Sequence, residues 1–246
     1  MKRSWKLNAV TNGILAMVIL FIGTVCFSSV TLAVTSSEDN VYRTGKESVS
    51  LMFNVYWGTK EVYEILDILD KFSVKSTFFV GGCWADDNVT CVREILSRGH
   101  ELGNHGYFHK TEQMSVSENT QEIEHTHNLI ALTTGYRMKL FAPPSGAYTN
   151  ETIKAATSLG YYVILWSKDT VDWRDKKASI IYERATKAVA GDLVLMHPME
   201  GTVEALANIL SDYKARGLSV TTVSENLGMG GIEWQSASVT TTVFAS

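Results

Sequence analysis

The chain has 246 residues, 45% of them hydrophobic, 10% aromatic and 20% charged, with a formal net charge of −4. Residues 1–33 carry three cations, Lys2, Arg3 and Lys6, and no acid, so the remaining 213 residues stand at −7. An acidic domain argues against nucleic acid and anionic membrane surfaces as partners, and this length suits one sizeable domain with a full core that needs no disulfide staples.

In chain order, the three cations come first, followed by an uncharged stretch from Asn8 to Val34 that is dominated by the apolar run Ile14 to Phe27. This is the charged-then-apolar pattern of an export signal. The run is shorter than the roughly 20 residues of a spanning helix, and Thr31-Leu32-Ala33 offers small residues for cleavage. The reading is a signal peptide over 1–33; the alternative is a retained N-terminal anchor, oriented by its cations with the domain outside. Either way the domain is exported, secreted or at the cell surface, and touches a membrane only through this segment. Cys26 is read as filler of the apolar run. Residues 34–48 are polar and read as a linker, and residues 228–246, rich in Gly, Ser, Thr and Val, as a flexible tail.

Between them, short apolar runs alternate with helical periods. Strands are expected at Val49 to Asn54, Ser76 to Val80, Glu101 to Asn104, Lys139 to Ala142, Tyr161 to Trp166, Asp192 to His197 and Ser219 to Val223. Helices are expected over Glu61 to Phe72, where Val62, Ile65, Leu66 and Leu69 recur at three- and four-residue spacing, and over Ser117 to Leu132, Glu151 to Leu159, Ser179 to Ala188 and Thr202 to Ala215. Such alternation over about 180 residues predicts an α/β fold with a parallel sheet, open or closed as a barrel, and with its chemistry at the C-terminal ends of the strands. Cys83 and Cys91 are close enough in sequence to pair outside the cell, but two free thiols serve equally well.

The residues that follow each strand are therefore informative. The first strand carries a carboxamide, Asn54, inside the apolar stretch MFNVYWG, and a buried amide needs a partner or a purpose. After the third strand, NHGYFHK holds His105 and His109, four apart, the spacing zinc chemistry favours; two surface or capping histidines are the other reading. The role of Glu101, inside the strand pattern, stays open. His125 and His127, two apart in the long polar helix, point to different faces and read as solvated.

After the fourth strand, FAPPSGAY fixes the backbone with two prolines while Ser145, Gly146 and Ala147 keep their N–H groups, so the loop can aim one at a bound oxygen; it can equally be a rigid turn before a helix. After the fifth come Asp169, Asp172 and Trp173, and a Trp beside carboxylates suits stacking on a sugar ring, although a core Trp is the commoner case. After the sixth comes His197, a candidate general acid if a carboxylate fixes its tautomer.

Taken in order, MFN, HGYFH, APPSG, DTVDW and LMH, spread over Val49 to Leu227, resemble the motifs of the NodB-type polysaccharide deacetylases, carbohydrate esterase family 4. Trp57-Gly58 makes the resemblance closest to the sporulation-type deacetylases of Gram-positive bacteria. The resemblance implies a distorted (β/α) barrel of about seven parallel strands over 49–227 and an exported, monomeric hydrolase. Its substrate would be N-acetylated glycan strands such as peptidoglycan, with a divalent metal, zinc, activating the acetyl carbonyl and a water. Residue by residue, it implies metal binding by His105 and His109, a general acid at His197 and its orienting carboxylate at Asp172. It also implies acetyl-pocket walls at Trp173 and Leu195, and an oxyanion contact from the backbone N–H of Ser145.

Three positions depart from the pattern. The family has a base aspartate, a metal aspartate and an arginine where this chain has Asn54, Val55 and Ala142. The metal is expected to be held weakly, and a simple loss of the base costs about 10²- to 10⁴-fold in rate. A glycan-binding wall protein that keeps the groove without catalysis is the alternative function.

Overall fold

A computed structural model describes residues 40–229. The expected signal peptide and residues 230–246 of the expected tail lie outside the described residues; Gly228 and Met229, its first two residues, are instead held by N–H bonds to the Glu225 and Ser224 carbonyls.

Among the described residues eight strands form one sheet: β1 (Val41–Tyr42), β2 (Ser50–Val55), β3 (Thr77–Val80), β4 (Glu101–Asn104), β5 (Leu140–Phe141), β6 (Tyr162–Ile164), β7 (Lys168–Asp169) and β8 (Leu193–Met196). Their order is β1-β6-β5-β4-β3-β2-β8-β7, with every neighbouring pair parallel. Helices run between them: α1 (Thr59–Phe72), α2 (Gly82–Asp87), α3 (Val89–Ser97), α4 (Val116–Thr134), α5 (Asn150–Ser158), α6 (Asp172–Asp175), α7 (Ala178–Ala185), α8 (Glu200–Ala215) and α9 (Val223–Leu227). The sheet curls into the expected distorted (β/α) barrel, with eight strands where about seven were expected. The eighth arises at the edges, where two-residue β1 and β7 carry too little sequence to show a period.

The period-2 alternation of each strand divides the core in two. Leu51, Phe53 and Val55 of β2 join Val62, Ile65 and Leu66 of α1 in the helix-facing core. Met52 instead shares the concave interior with Phe79, Leu140, Ile164, Leu193 and Leu195. The apolar stripe of α1 is buried at the four spaced positions, and its register against the sheet follows from that burial.

Some boundaries differ from the sequence reading. Residues 41–42, within the expected linker, pair with β6. The expected strand Ser219 to Val223 makes a single bridge, Val220 with Val49. It stops there because Thr222 caps α9: its hydroxyl accepts from the Glu225 N–H while Glu225 reaches back to the Thr222 N–H, and this capping box starts a helix where the apolar pattern suggests a strand. Cys83 and Cys91 are both free, with Cys91 buried and its thiol pushed up to about 11 by burial. No helix among the described residues is long and apolar enough to cross a membrane.

Glu101, left open by the sequence, closes the barrel floor away from the strand tips. Its Oε2 accepts from Thr77 Oγ1 at 2.6 Å and from the Ser224 N–H at 3.2 Å, which ties α9 to β3 and β4, while its Oε1 has no partner among protein groups. Burial raises its pKa, partly opposed by the Ser224 and Thr77 hydrogen bonds. A folded-state pKa above the unfolded one favours the fold while the group is protonated, and that contribution is lost as pH rises through the folded value. Glu101→Gln keeps both accepted bonds and removes the titration. It is expected to match the parent in acid and exceed its unfolding free energy above neutrality, measured by urea titration across pH; a variant weaker than the parent at high pH would contradict this.

Candidate active site

The polar residues singled out in the sequence collect at the C-terminal edge of the sheet. Asn54 is buried on β2, on the concave side of the strand, since Met52 faces inward two residues before it. Its Oδ1 is buried without a partner among protein groups. The β2–β8 register, Phe53 opposite Met196, sets Asn54 level with His197. Val55 points the other way, into the helix-facing core with Phe53.

His105 ends β4. It is buried, its N–H donates to the Val80 carbonyl, and its Nδ1–H donates to the Ala142 carbonyl at 2.8 Å, so Nε2 keeps a free lone pair. Burial lowers its pKa to about 3. His109 follows four residues later in a left-handed backbone conformation, φ 53°, that brings its ring to 5.0 Å from that of His105. Burial lowers its pKa as well. Both imidazoles are thus held neutral, the form that binds metal.

Asp172 is the most completely satisfied group of the site. It is fully buried at the start of α6, just after Val171 with φ 52°. Its Oδ1 accepts from the His197 Nδ1–H at 2.7 Å and the Trp173 N–H at 2.9 Å, and its Oδ2 from the His197 N–H at 2.6 Å and Thr202 Oγ1 at 2.7 Å. The carboxylate therefore fixes both the backbone and the tautomer of His197, leaving Nε2 for chemistry. Thr202, on α8, was invisible in the sequence because nothing in a helical Thr announces a partner 30 residues away.

Aromatic groups flank this pair. Trp57 lies parallel to the His197 ring, centroids 5.8 Å apart at 6°, and stays 44% exposed; Trp173 is 50% exposed. Gly58, φ 76°, lets the β2–α1 turn press on Pro198: a Cβ there would strike the Pro198 carbonyl, and this close approach sets Trp57 over His197. Leu195 is buried beside Met52 on the concave side. Ser145 stands exposed with φ 54° in the 3₁₀ turn Pro144–Gly146. A cavity of about 230 Å³ adjoins this turn, bounded by Gly106, Lys110, Glu122, Pro143, Pro144 and Tyr148. His125 is exposed as expected, but His127 is half-buried, its Nδ1 2.6 Å from the Tyr161 hydroxyl.

The residues present fit a divalent cation incompletely. His105 and His109 supply two neutral nitrogens, and the orphaned Oδ1 of Asn54 is an oxygen donor on the same side of the sheet. No group of three or more His, Cys, Asp or Glu able to hold an ion occurs among the described residues.

Residues 42–164 match the family model for polysaccharide deacetylase. The uncharacterized protein YlxY of Bacillus subtilis is 34% identical over 182 residues, 73% of this chain and 57% of that protein. A peptidoglycan-N-acetylglucosamine deacetylase of Bacillus cereus is 33% identical over 171 residues, 67% of this chain and 80% of the relative. Among solved structures, a CE4 family pseudoenzyme from Bacillus anthracis superposes with a TM-score of 0.74 at 33% identity, covering 76% of this chain and 68% of that one. A mutant of the same pseudoenzyme with restored enzymatic activity gives the same TM-score at 32% identity. The chain thus spans little more than half the length of YlxY.

Proposed function

This chain belongs to the polysaccharide deacetylase family, and from that premise we propose that it is an exported hydrolase removing N-acetyl groups from cell-wall glycan strands. The observation that carries this reading is the His197–Asp172 pair: the buried carboxylate accepts from His197 Nδ1–H and from its backbone N–H, and Trp57 lies parallel to the ring. A His whose Nδ1–H is held by a buried carboxylate keeps Nε2 able to take and give a proton.

A divalent metal held by His105 and His109, with Asn54 Oδ1 as the available oxygen, would supply Lewis acidity toward the acetyl carbonyl and a water. The chain's own residues do the rest. Trp173 and Leu195 wall the acetyl group, and the Ser145 N–H is the donor for the developing oxyanion. Asn54 accepts or donates a hydrogen bond but takes no proton at neutral pH. His197 therefore serves twice: Nε2 takes a proton from the attacking water and passes it to the leaving amine nitrogen as the C–N bond breaks, giving acetate and a free amino sugar. Asp172 keeps the ring oriented through both transfers.

Zinc-loaded protein is expected to release acetate from N-acetylglucosamine oligomers, and His197→Ala to lose that release. No release from any N-acetylated glycan at any metal loading would overturn the reading. A specific observation favours a second one: Asn54, Val55 and Ala142 stand where the resemblance expects acid, acid and cation, and a pseudoenzyme is among the structural neighbours. On that reading the protein binds glycan strands without turnover, with an affinity that falls with Trp173→Ala and ignores chelators.

A further inference from the structure

The two candidate metal histidines sit on a loop whose shape is held from outside. His105 and His109 converge only because the segment between them bends through Gly106, φ 72°, and His109, φ 53°. One edge of that segment is fixed to the sheet and α2: the Gly106 N–H donates to Asn104 Oδ1, the Gly82 N–H to the Gly106 carbonyl, and the Cys83 N–H and Tyr56 hydroxyl to the Tyr107 carbonyl. The other edge rests on one charged side chain. Glu122 Oε2 accepts from the Tyr107 N–H at 2.9 Å and the Phe108 N–H at 2.8 Å, and its Oε1 lies 3.7 Å from Lys110 Nζ.

The side chain of Glu122 is only 8% exposed. A carboxylate in such a place needs donors to offset its desolvation, and it finds them in two consecutive backbone N–H groups and the lysine directly after His109. It lies on the buried face of α4 with Asn119, Ile123 and Thr126, outside every motif that marks the site. We propose that Glu122 is the positioning residue of the two-histidine site, a carboxylate clamp that folds the 105–109 loop so that both rings address one ion. The inference rests on the reading of that pair as metal ligands.

The bond count sets the expected result. Glu122→Ala leaves the Tyr107 and Phe108 N–H groups without their acceptor, whereas Glu122→Gln keeps a carbonyl oxygen for them and loses only the charge. With the full chain and Zn²⁺ alone followed by calorimetry, Glu122→Ala is expected to weaken Zn²⁺ binding by about 10- to 100-fold, the range for outer partners of metal ligands, and Glu122→Gln by less. Amide hydrogen exchange read in parallel without metal is expected to quicken at Tyr107 and Phe108 in the Ala variant, with β2, β3 and β4 unchanged.

Unchanged Zn²⁺ affinity in Glu122→Ala, or unchanged exchange at those two amides, overturns the proposal. Exchange that quickens across the whole sheet overturns it too, because Glu122 would then be a general stabiliser. If the parent binds no Zn²⁺, the metal reading of the pair falls; the exchange result then decides on its own whether Glu122 shapes the loop.

Discussion

Asn54→Asp is expected to raise the rate of acetate release by about 10²- to 10⁴-fold, the usual contribution of a positioned general base. The parent asks one residue, His197, to take the water proton and deliver it to the amine. A carboxylate at 54, level with His197 on the neighbouring strand and on the same concave side, would relieve it of the first task. The new acid would be buried with alanine, not a cation, at position 142, so desolvation would raise its pKa and make the gain grow with pH through the acid range. Assay of acetate release against pH with zinc present checks both parts. A variant that binds zinc, folds and gains nothing would show that the missing base is not what limits this site.

Asp172→Ala is expected to lose acetate release altogether and to destabilise the fold by about 3 kcal/mol or more. The second effect comes from the four donors on this carboxylate, three of them N–H groups of His197 and Trp173 and one the Thr202 hydroxyl. Leaving buried donors unpaired costs about 1 to 3 kcal/mol each, less whatever water or repacking restores. His197→Ala provides the contrast, since it removes the proton carrier and leaves the carboxylate three of its donors. Urea unfolding of the two variants beside their acetate release separates the roles: a stable Asp172→Ala protein would mean that the carboxylate serves chemistry alone.

The candidate residues could be named from the sequence because His, Asp and Asn are rare residue types at strand ends. His105 follows β4 directly with His109 four residues on, His197 follows β8 directly, and Asp172 opens α6 just after β7. What escaped notice acts through contacts that leave no local trace. Thr202 and Glu122 are ordinary helix residues whose partners lie 30 and about 15 positions away. Trp57 was visible as half of a Trp-Gly pair, but its place over His197 depends on Gly58 meeting Pro198 across the sheet edge. The helices α2 and α3 were missed although Cys91, Val92 and Ile95 keep a helical spacing, because the polar run between them reads as loop.

The sequence by itself determined the alternation of strands and helices, the faces that enter the core, and the family, because periodicity and ordered motifs are properties of neighbouring residues. The tertiary structure alone decided which side of β2 Asn54 and Val55 occupy, and which groups hold His197 and the His105–His109 loop in place. These depend on strand register and on hydrogen bonds between elements far apart in the chain, and a shift of one residue in register would exchange the interior and exterior of the strand without changing any local pattern.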